Sequence, residues 1–240
     1  FMSTFIGEGS GSASMNLLKE DFDELLPIFV DLVQNPLFPE DKIDLYKTQA
    51  KSGISRRNDD QASIANREFN KLIYGNDSPY TQQVEYATID AITREDLIEF
   101  HKQAFVGNNM MLGIIGDFDT KEMKKKLKEA FASLPSGTKT NIIYPEVNYT
   151  YPSTFNLIDK PDVNQSYVLI GHIGGLRENP DYPALQMMNQ VLGGGFAGRL
   201  FQKVRTDLGL AYAVGGGFGS AINYPSTFDL FVMTKSSTTA

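Results

Sequence analysis

The sequence has no cysteine and two histidines in 240 residues. Without cysteine there is neither a disulfide nor a thiol nucleophile, and the compartment stays open. A catalytic zinc site needs three convergent His, Asp or Glu ligands and an open position for water, so His101 and His172 alone cannot supply one. His101 has no partner at His-x-x-x-His spacing and reads as a helix-surface or interface histidine. His172 follows the apolar run "YVLIG" at a strand end, where it is either held by backbone or placed beside a substrate groove.

Basic charge is also scarce. With 22 Lys plus Arg against 29 Asp plus Glu, the net charge of -7 argues against a general nucleic-acid surface. The short cluster Lys124, Lys125, Lys126 and Lys128 reads as the wet face of a helix. No apolar run approaches the roughly 20 residues of a membrane span, and residues 1 to 15 lack the regions of a signal peptide. Phe1 is an unusual natural start, so the expectation is a piece of a longer protein. The 41% hydrophobic content supports one sizeable core or two modest ones.

The opening residues have the short alternating pattern of an edge strand followed by another strand or loop. Phe22, Leu25, Leu26, Phe29, Leu32 and Val33 then form a helical stripe, with Pro27 near its start. Further helices are expected over Glu40 to Arg56, over Gln61 to Tyr74 capped by Asp60, after Thr93 as the entrance of Thr93-Arg-Glu-Asp96, and over Met123, Leu127, Ala130 and Phe131 with Thr120 as the cap. The continuously apolar Asn108 to Phe118 predicts a buried strand between two helices, and hence a layered α+β domain. The polar, proline-rich run Ser133 to Pro152 is the best boundary, giving one domain over 1–148 and another from 149–240. Asn148-Tyr-Thr150 matches a glycosylation acceptor only weakly. Strands are expected at Thr154 to Asp159, Gln165 to His172 and Thr227 to Lys235, with a helix after Pro180.

The most informative stretch is "LGGGFAGRLFQKVRTDLGLAYAVGGGFG", Leu192 to Gly219. Its glycines at 193 to 195 predict a tight bend feeding a short helix over Phe196 to Asp207, closed by a left-handed Gly209 and followed by a strand over Leu210 to Val214. Gly215 to Gly217 lie in or beside that strand and mark a bulge or close backbone approach. Arg205 and Tyr212 would meet at one corner, where guanidinium and hydroxyl donors can hold a peptide carbonyl or carboxylate. The alternative is an ordinary surface arginine and a cross-strand tyrosine. Neither a phosphate loop nor a dinucleotide turn fits the glycines.

This stretch, within "DVNQSYVLIGHIGGLRENPDYPALQMMNQVLGGGFAGRLFQKVRTDLGLAYAV", resembles the second-half signature of the pitrilysin or insulinase (M16) zinc peptidases, in the processing-peptidase branch. Upstream, "LLPIFVDLVQNPLFPEDKIDLYKTQAKSGISRRNDDQASIANREFNKLIYGNDSPY" and "ITREDLIEFHKQAFVGNNMMLGIIGDFD" resemble the later part of the first half. The resemblance implies a duplicated α+β fold, each metallopeptidase-like half a layered antiparallel or mixed sheet with helices on one face, and both halves incomplete here. It gives Arg205 and Tyr212 the role of a substrate clamp, with His172, Gly194, Gly195 and Phe196 as groove residues.

The family's inverted His-x-x-Glu-His motif is absent, and where its later Glu would fall the chain reads "AKSGI", Ala50 to Ile54. The resemblance therefore implies no metal and no peptide cleavage in this chain, with zinc in a full parent or a partner subunit. Three readings follow: a non-catalytic or complementing subunit that binds extended peptide, a piece of a self-contained zinc endopeptidase, or a structural assembly subunit. Expected partners are a peptide substrate and a second copy or zinc-bearing subunit, without nucleic acid or a membrane span. The bacterial periplasm or cell envelope is the expected compartment, with the cytoplasm as alternative.

Overall fold

The computed structural model describes residues 1–7, 9–150 and 153–239. The chain is α+β and divides into two compact units, one built from Phe1–Lys51 with Tyr86–Ile143 and the other from Ser52–Glu85 with Tyr144–Ala240. Among the described residues no helix is long and apolar enough to cross a membrane.

The first unit opens with an antiparallel hairpin, β1 (Met2–Ile6) and β2 (Gly11–Met15), as the alternation predicts. Helix α1 (Phe22–Gln34) tolerates Pro27 inside it and buries Leu26, Phe29 and Val33, spaced three and four apart on one face. Helix α2 (Glu40–Arg56) has the expected limits, and its Lys47 donates to the Ile92 carbonyl at 2.5 Å. After α3 (Gln61–Tyr74), which belongs to the second unit, come α4 (Tyr86–Ala91) and α5 (Arg94–Ala104). Thr93 and Asp96 form a reciprocal capping box at the start of α5: the Asp96 N–H donates to the Thr93 hydroxyl at 3.2 Å, and the Thr93 N–H to the Asp96 carboxylate at 2.7 Å. Those bonds to Thr93 backbone and side chain hold the Asp96 pKa below its ordinary value. His101 is an interface residue, its Nε2 lying 2.8 Å from the Val33 carbonyl and its ring stacked on Phe105.

Two expectations fail in this unit. The cap of α6 (Thr120–Ala130) is Asp119, whose carboxylate accepts from the Lys121 and Glu122 N–H groups at 2.9 Å each; an acid one residue earlier outcompetes the Thr120 hydroxyl. The apolar run Asn108–Phe118 is not a buried strand. Gly107–Asn109 forms a single 3-10 turn, and Met111 and Ile115 beyond it are 98% and 101% exposed. A strand exists only where a neighbour takes its backbone groups, and among the described residues β1 and β2 pair only with each other. Hydrophobic composition cannot supply that neighbour.

The second unit contains α3 (Gln61–Tyr74), with Asp60 capping it as expected: the Ser63 N–H donates to its carboxylate at 2.6 Å. Its sheet has strand order β3 (Gln165–Ile173), β7 (Thr227–Lys235), β5 (Ala213–Phe218), all antiparallel. Helix α3 packs on β3, where Phe69 occupies the space over Gly171, and α7 (Tyr182–Leu192) packs on β5. A short parallel pair, β4 (Gly175–Leu176) with β6 (Ser220–Ala221), extends beyond the sheet. The strand expected over Thr154–Asp159 is irregular chain, with Phe155 and Leu157 exposed, again for want of a paired neighbour among the described residues. Tyr74, Tyr80, Tyr144 and Tyr224 cluster face and edge; Tyr74 donates to the Pro225 carbonyl at 2.9 Å and Tyr80 to that of Pro145 at 2.6 Å. Burial, reinforced by the neighbouring Tyr224, Asp229 and Tyr80, pushes the Tyr74 pKa up to about 12.

Candidate functional site

The corner predicted between residues 192 and 214 is present, built differently in detail. Helix α7 stops at Leu192, and Gly193 lies so close to β5 that a Cβ there would stand 2.2 Å from the Gly216 carbonyl. Gly194 and Gly195 continue the bend into a 3-10 turn over Gly195–Ala197. The helix expected over Phe196 to Asp207 begins only at Arg199, with Gln202 N–H donating to the Gly198 carbonyl at 3.0 Å, and Phe201–Asp207 is wound as a π-helix, with Leu208 N–H donating to the Lys203 carbonyl at 3.2 Å. The wider turn is the kind of irregularity that concentrates at functional positions. Gly209, at φ +62°, then reverses the chain in the left-handed conformation that its position predicts.

Arg205 and Tyr212 do meet. The Arg205 guanidinium carbon lies 4.9 Å from the Phe201 ring centroid and 5.8 Å from that of Tyr212. Both side chains are exposed, Tyr212 by 67%. Among the described residues Arg205 makes no hydrogen bond or ion pair, so its donor edge is available while two rings hold its plane. Lys203, two residues earlier, sits instead 3.5 Å from Asp207. Phe196 is 76% exposed and edge-on to Phe201 at 4.9 Å, so Phe196, Phe201, Arg205 and Tyr212 form one row of touching groups. Phe201 was not among the sequence-derived candidates, although its i, i+4 spacing from Arg205 is a readable signal.

Strand β5 starts three residues later than expected, at Ala213, and runs through Gly215, Gly216 and Gly217 to Phe218. Leu210 and Tyr212 are tied to β7 by single bonds, Tyr212 N–H to Met233 at 2.8 Å and the Thr234 hydroxyl to Leu210 at 2.6 Å. The glycines allow the strand to run against β7 and the end of α7 at distances a side chain would prevent, so their role is close approach. Asn189 of α7 closes the outer side of β5: its side-chain oxygen accepts from Phe218 N–H at 2.6 Å and its amide nitrogen donates to Phe218 carbonyl at 2.8 Å. Nothing in the sequence alone singles out Asn189.

His172 lies elsewhere. It is paired with Phe228 across the β3–β7 ladder, whereas Tyr212 bonds to Met233, about 17 Å further along β7 at strand rise. Its Nδ1 is 2.6 Å from the Ile173 carbonyl and its ring stacks on Phe228 at 5.1 Å between centroids. Among the described residues no group of three or more His, Asp or Glu side chains is placed to hold a metal ion.

The chain is similar to an uncharacterized zinc protease of Rickettsia felis, 28% identical over 91% of this chain and 52% of that protein. It is also similar to a non-peptidase homolog of Helicobacter pylori, 26% identical over 84% of this chain and 46% of the relative. It thus spans about half the length of the curated relatives it matches. The crystal structure of a peptidase M16 inactive domain from Pseudomonas fluorescens superposes with a TM-score of 0.76 at 26% identity, over 91% of this chain and 52% of that one. Residues 91–238, more than half of the chain, match the family model described as the peptidase M16 inactive domain, and the chain belongs to that peptidase family.

Proposed function

We propose that this chain is a non-catalytic, complementing component of a peptidase assembly, and that Arg205 and Tyr212 hold the backbone of an extended peptide. The observation that carries the reading is the Arg205 guanidinium set against Phe201 and Tyr212 with its donor edge open to solvent. A guanidinium held in this way loses little rotational freedom when it binds a carbonyl or carboxylate, and its charge strengthens the hydrogen bond. In a water-excluded groove the same donors would favour the oxygen that becomes negative as a peptide bond is attacked. Phe196 and the turn at Gly194 and Gly195 would form the adjoining wall, and His172 a separate part of the groove. The described residues offer no zinc ligand set, so in this proposal zinc belongs to a partner subunit or to the parent beyond this chain. The proposed division places the later part of a first peptidase-like half in residues 1–148 and the beginning of a second in residues 149–240.

The relative named a non-peptidase homolog supports this reading. The relative named a zinc protease favours a second one, in which the whole protein cleaves peptides by itself. Metal analysis of the whole protein separates the two: stoichiometric zinc that survives removal of loosely bound metal supports the second. The peptide clamp is tested with the authentic partner and an extended peptide. Arg205→Ala should lower processing by about two orders of magnitude, equivalent to about 2–3 kcal/mol, and Tyr212→Phe should act in the same direction but less. Lys203→Ala is the charge control. Equal activity in all three folded variants would leave Arg205 and Tyr212 as surface residues and favour a structural assembly role.

A further inference from the structure

Four tyrosines of the second unit touch in one cluster, although they come from separate parts of the chain. Tyr74 ends α3, Tyr80 lies in the 3-10 turn Pro79–Thr81, Tyr144 lies in the irregular chain before β3, and Tyr224 lies in the loop between β6 and β7. Tyr80 and Tyr224 are stacked, with ring centroids 4.0 Å apart and planes 20° from parallel, the closest ring pair among the described residues. Tyr74 meets the same two rings at steep angles, at 5.6 and 6.0 Å, and Tyr144 lies 6.3 Å from Tyr224.

Both stacked rings are carried by fixed backbone. Thr81 is buried, its hydroxyl donating to the Gly75 carbonyl at 2.7 Å, and Ser78 caps the same turn by accepting from the Tyr80 N–H at 3.2 Å. The Tyr80 hydroxyl donates to the Pro145 carbonyl at 2.6 Å. Beyond Tyr224, the Pro225 carbonyl accepts from Tyr74 at 2.9 Å and the Ser226 carbonyl from the Gly174 N–H at 2.5 Å. The stack is therefore held from both sides by bonds within this chain. It does not depend on any surface or strand edge being open.

The chain also lacks the side chains that most readily compete with tyrosine for an oxidising equivalent. It has no cysteine and no tryptophan. Methionine is oxidised by gaining an oxygen atom, so the loss of a single electron falls to tyrosine.

We propose that Tyr80 and Tyr224 form an oxidative modification site, at which a one-electron oxidant, haem activated by hydrogen peroxide, joins the two rings as dityrosine. Each phenol gives one electron to the oxidant and its hydroxyl proton to water. The two phenoxyl radicals form a carbon–carbon bond between ring positions ortho to oxygen, and the hydrogen on each joined carbon then moves to its oxygen, restoring both phenols. Hydrogen peroxide accepts the two electrons and two protons and leaves as two molecules of water. Radicals held in ring contact combine before a second chain arrives, because proximity replaces a bimolecular encounter. The product is a covalent staple in a chain that can form no disulfide, tying the end of α3 to the loop that feeds β7. The site is independent of the Arg205–Tyr212 reading, since none of its residues belongs to that corner.

The test treats the whole protein with hydrogen peroxide and a catalytic amount of free haem, and maps the linked peptides by mass spectrometry. The expected product joins the peptide of Tyr80 to that of Tyr224 with the loss of two hydrogen atoms and carries dityrosine fluorescence. Its yield per chain should not change on about tenfold dilution, and oxidation after unfolding in urea should lower it at least about tenfold, because the stack is then gone. Tyr224→Phe, shown by circular dichroism to be folded, should cut the dityrosine formed among residues 74, 80 and 144 to a similar extent, since no stacked phenol pair in contact remains. If that variant misfolds, the wild-type map and its urea control decide the matter alone. Equal linking in folded and unfolded protein, links only between chains, a link to Tyr74 or Tyr144 in place of the Tyr80–Tyr224 link, or oxidation that stops at methionine sulfoxide overturns the proposal.

Discussion

Replacing Gly216 by alanine should destabilise the second unit severely. Gly216 sits in β5 at φ +122°, and a Cβ on it would stand 2.1 Å from the Asp229 carbonyl oxygen and 2.7 Å from the Leu230 Cα. Both are backbone atoms of the central strand β7, so no side chain can swing aside to make room. The backbone conformation alone costs an ordinary residue about 1–3 kcal/mol, and forcing an extra carbon into a packed interior costs a similar amount, so the loss should reach about 3 kcal/mol or more. Gly195→Ala is the calibrating variant. It shares the positive φ, at +77°, but nothing lies within 4 Å of its Cβ, so only the conformational cost of about 1–2 kcal/mol remains. Native-state hydrogen exchange at amides of β5 and β7 reads the local loss directly and does not require the two units to unfold together. A Gly216→Ala loss no larger than that of Gly195→Ala would refute the steric argument and mean that β5 shifts readily away from β7.

Two further outcomes follow from the local chemistry. Asp119→Ala should weaken α6 by about 1 kcal/mol while Thr120→Ala leaves it nearly unchanged, as measured by urea denaturation; the reverse order would restore Thr120 as the cap. Tyr74 ionises at about 12 when folded but near 10 when exposed, so the folded state keeps its proton where the unfolded chain has released it. Its stabilising effect is complete below pH 10 and falls between about 10 and 12; Tyr74→Phe should remove that part of the alkaline decline and, by losing the bond to Pro225, cost about 1 kcal/mol at neutral pH. An unchanged alkaline stability profile in Tyr74→Phe would show that Tyr74 does not contribute to it.

Local signals in the sequence determined most of the helices, the caps at Asp60 and Thr93, the left-handed Gly209, the strand Thr227–Lys235 and the meeting of Arg205 with Tyr212. Each depends on residues close together in the chain: a carboxylate three residues before an amide, a stripe at helical period, a glycine after the last turn. The family signature around Gly193 to Val214 was legible for the same reason, since it occupies one continuous stretch. The tertiary structure decided what depends on a distant neighbour. The apolar runs at 108–118 and 154–159 have strand-like composition, but a strand also needs backbone partners that sequence pattern does not name. Likewise Gly215 to Gly217 joined β5 because β7 and Gly193 come close enough to exclude side chains, and Phe218 lost its free edge to Asn189, 29 residues away in sequence. The pairing of His172 with Phe228 exists only once β3 and β7 are in register; a shift of one residue would move every β3 side chain to the other face.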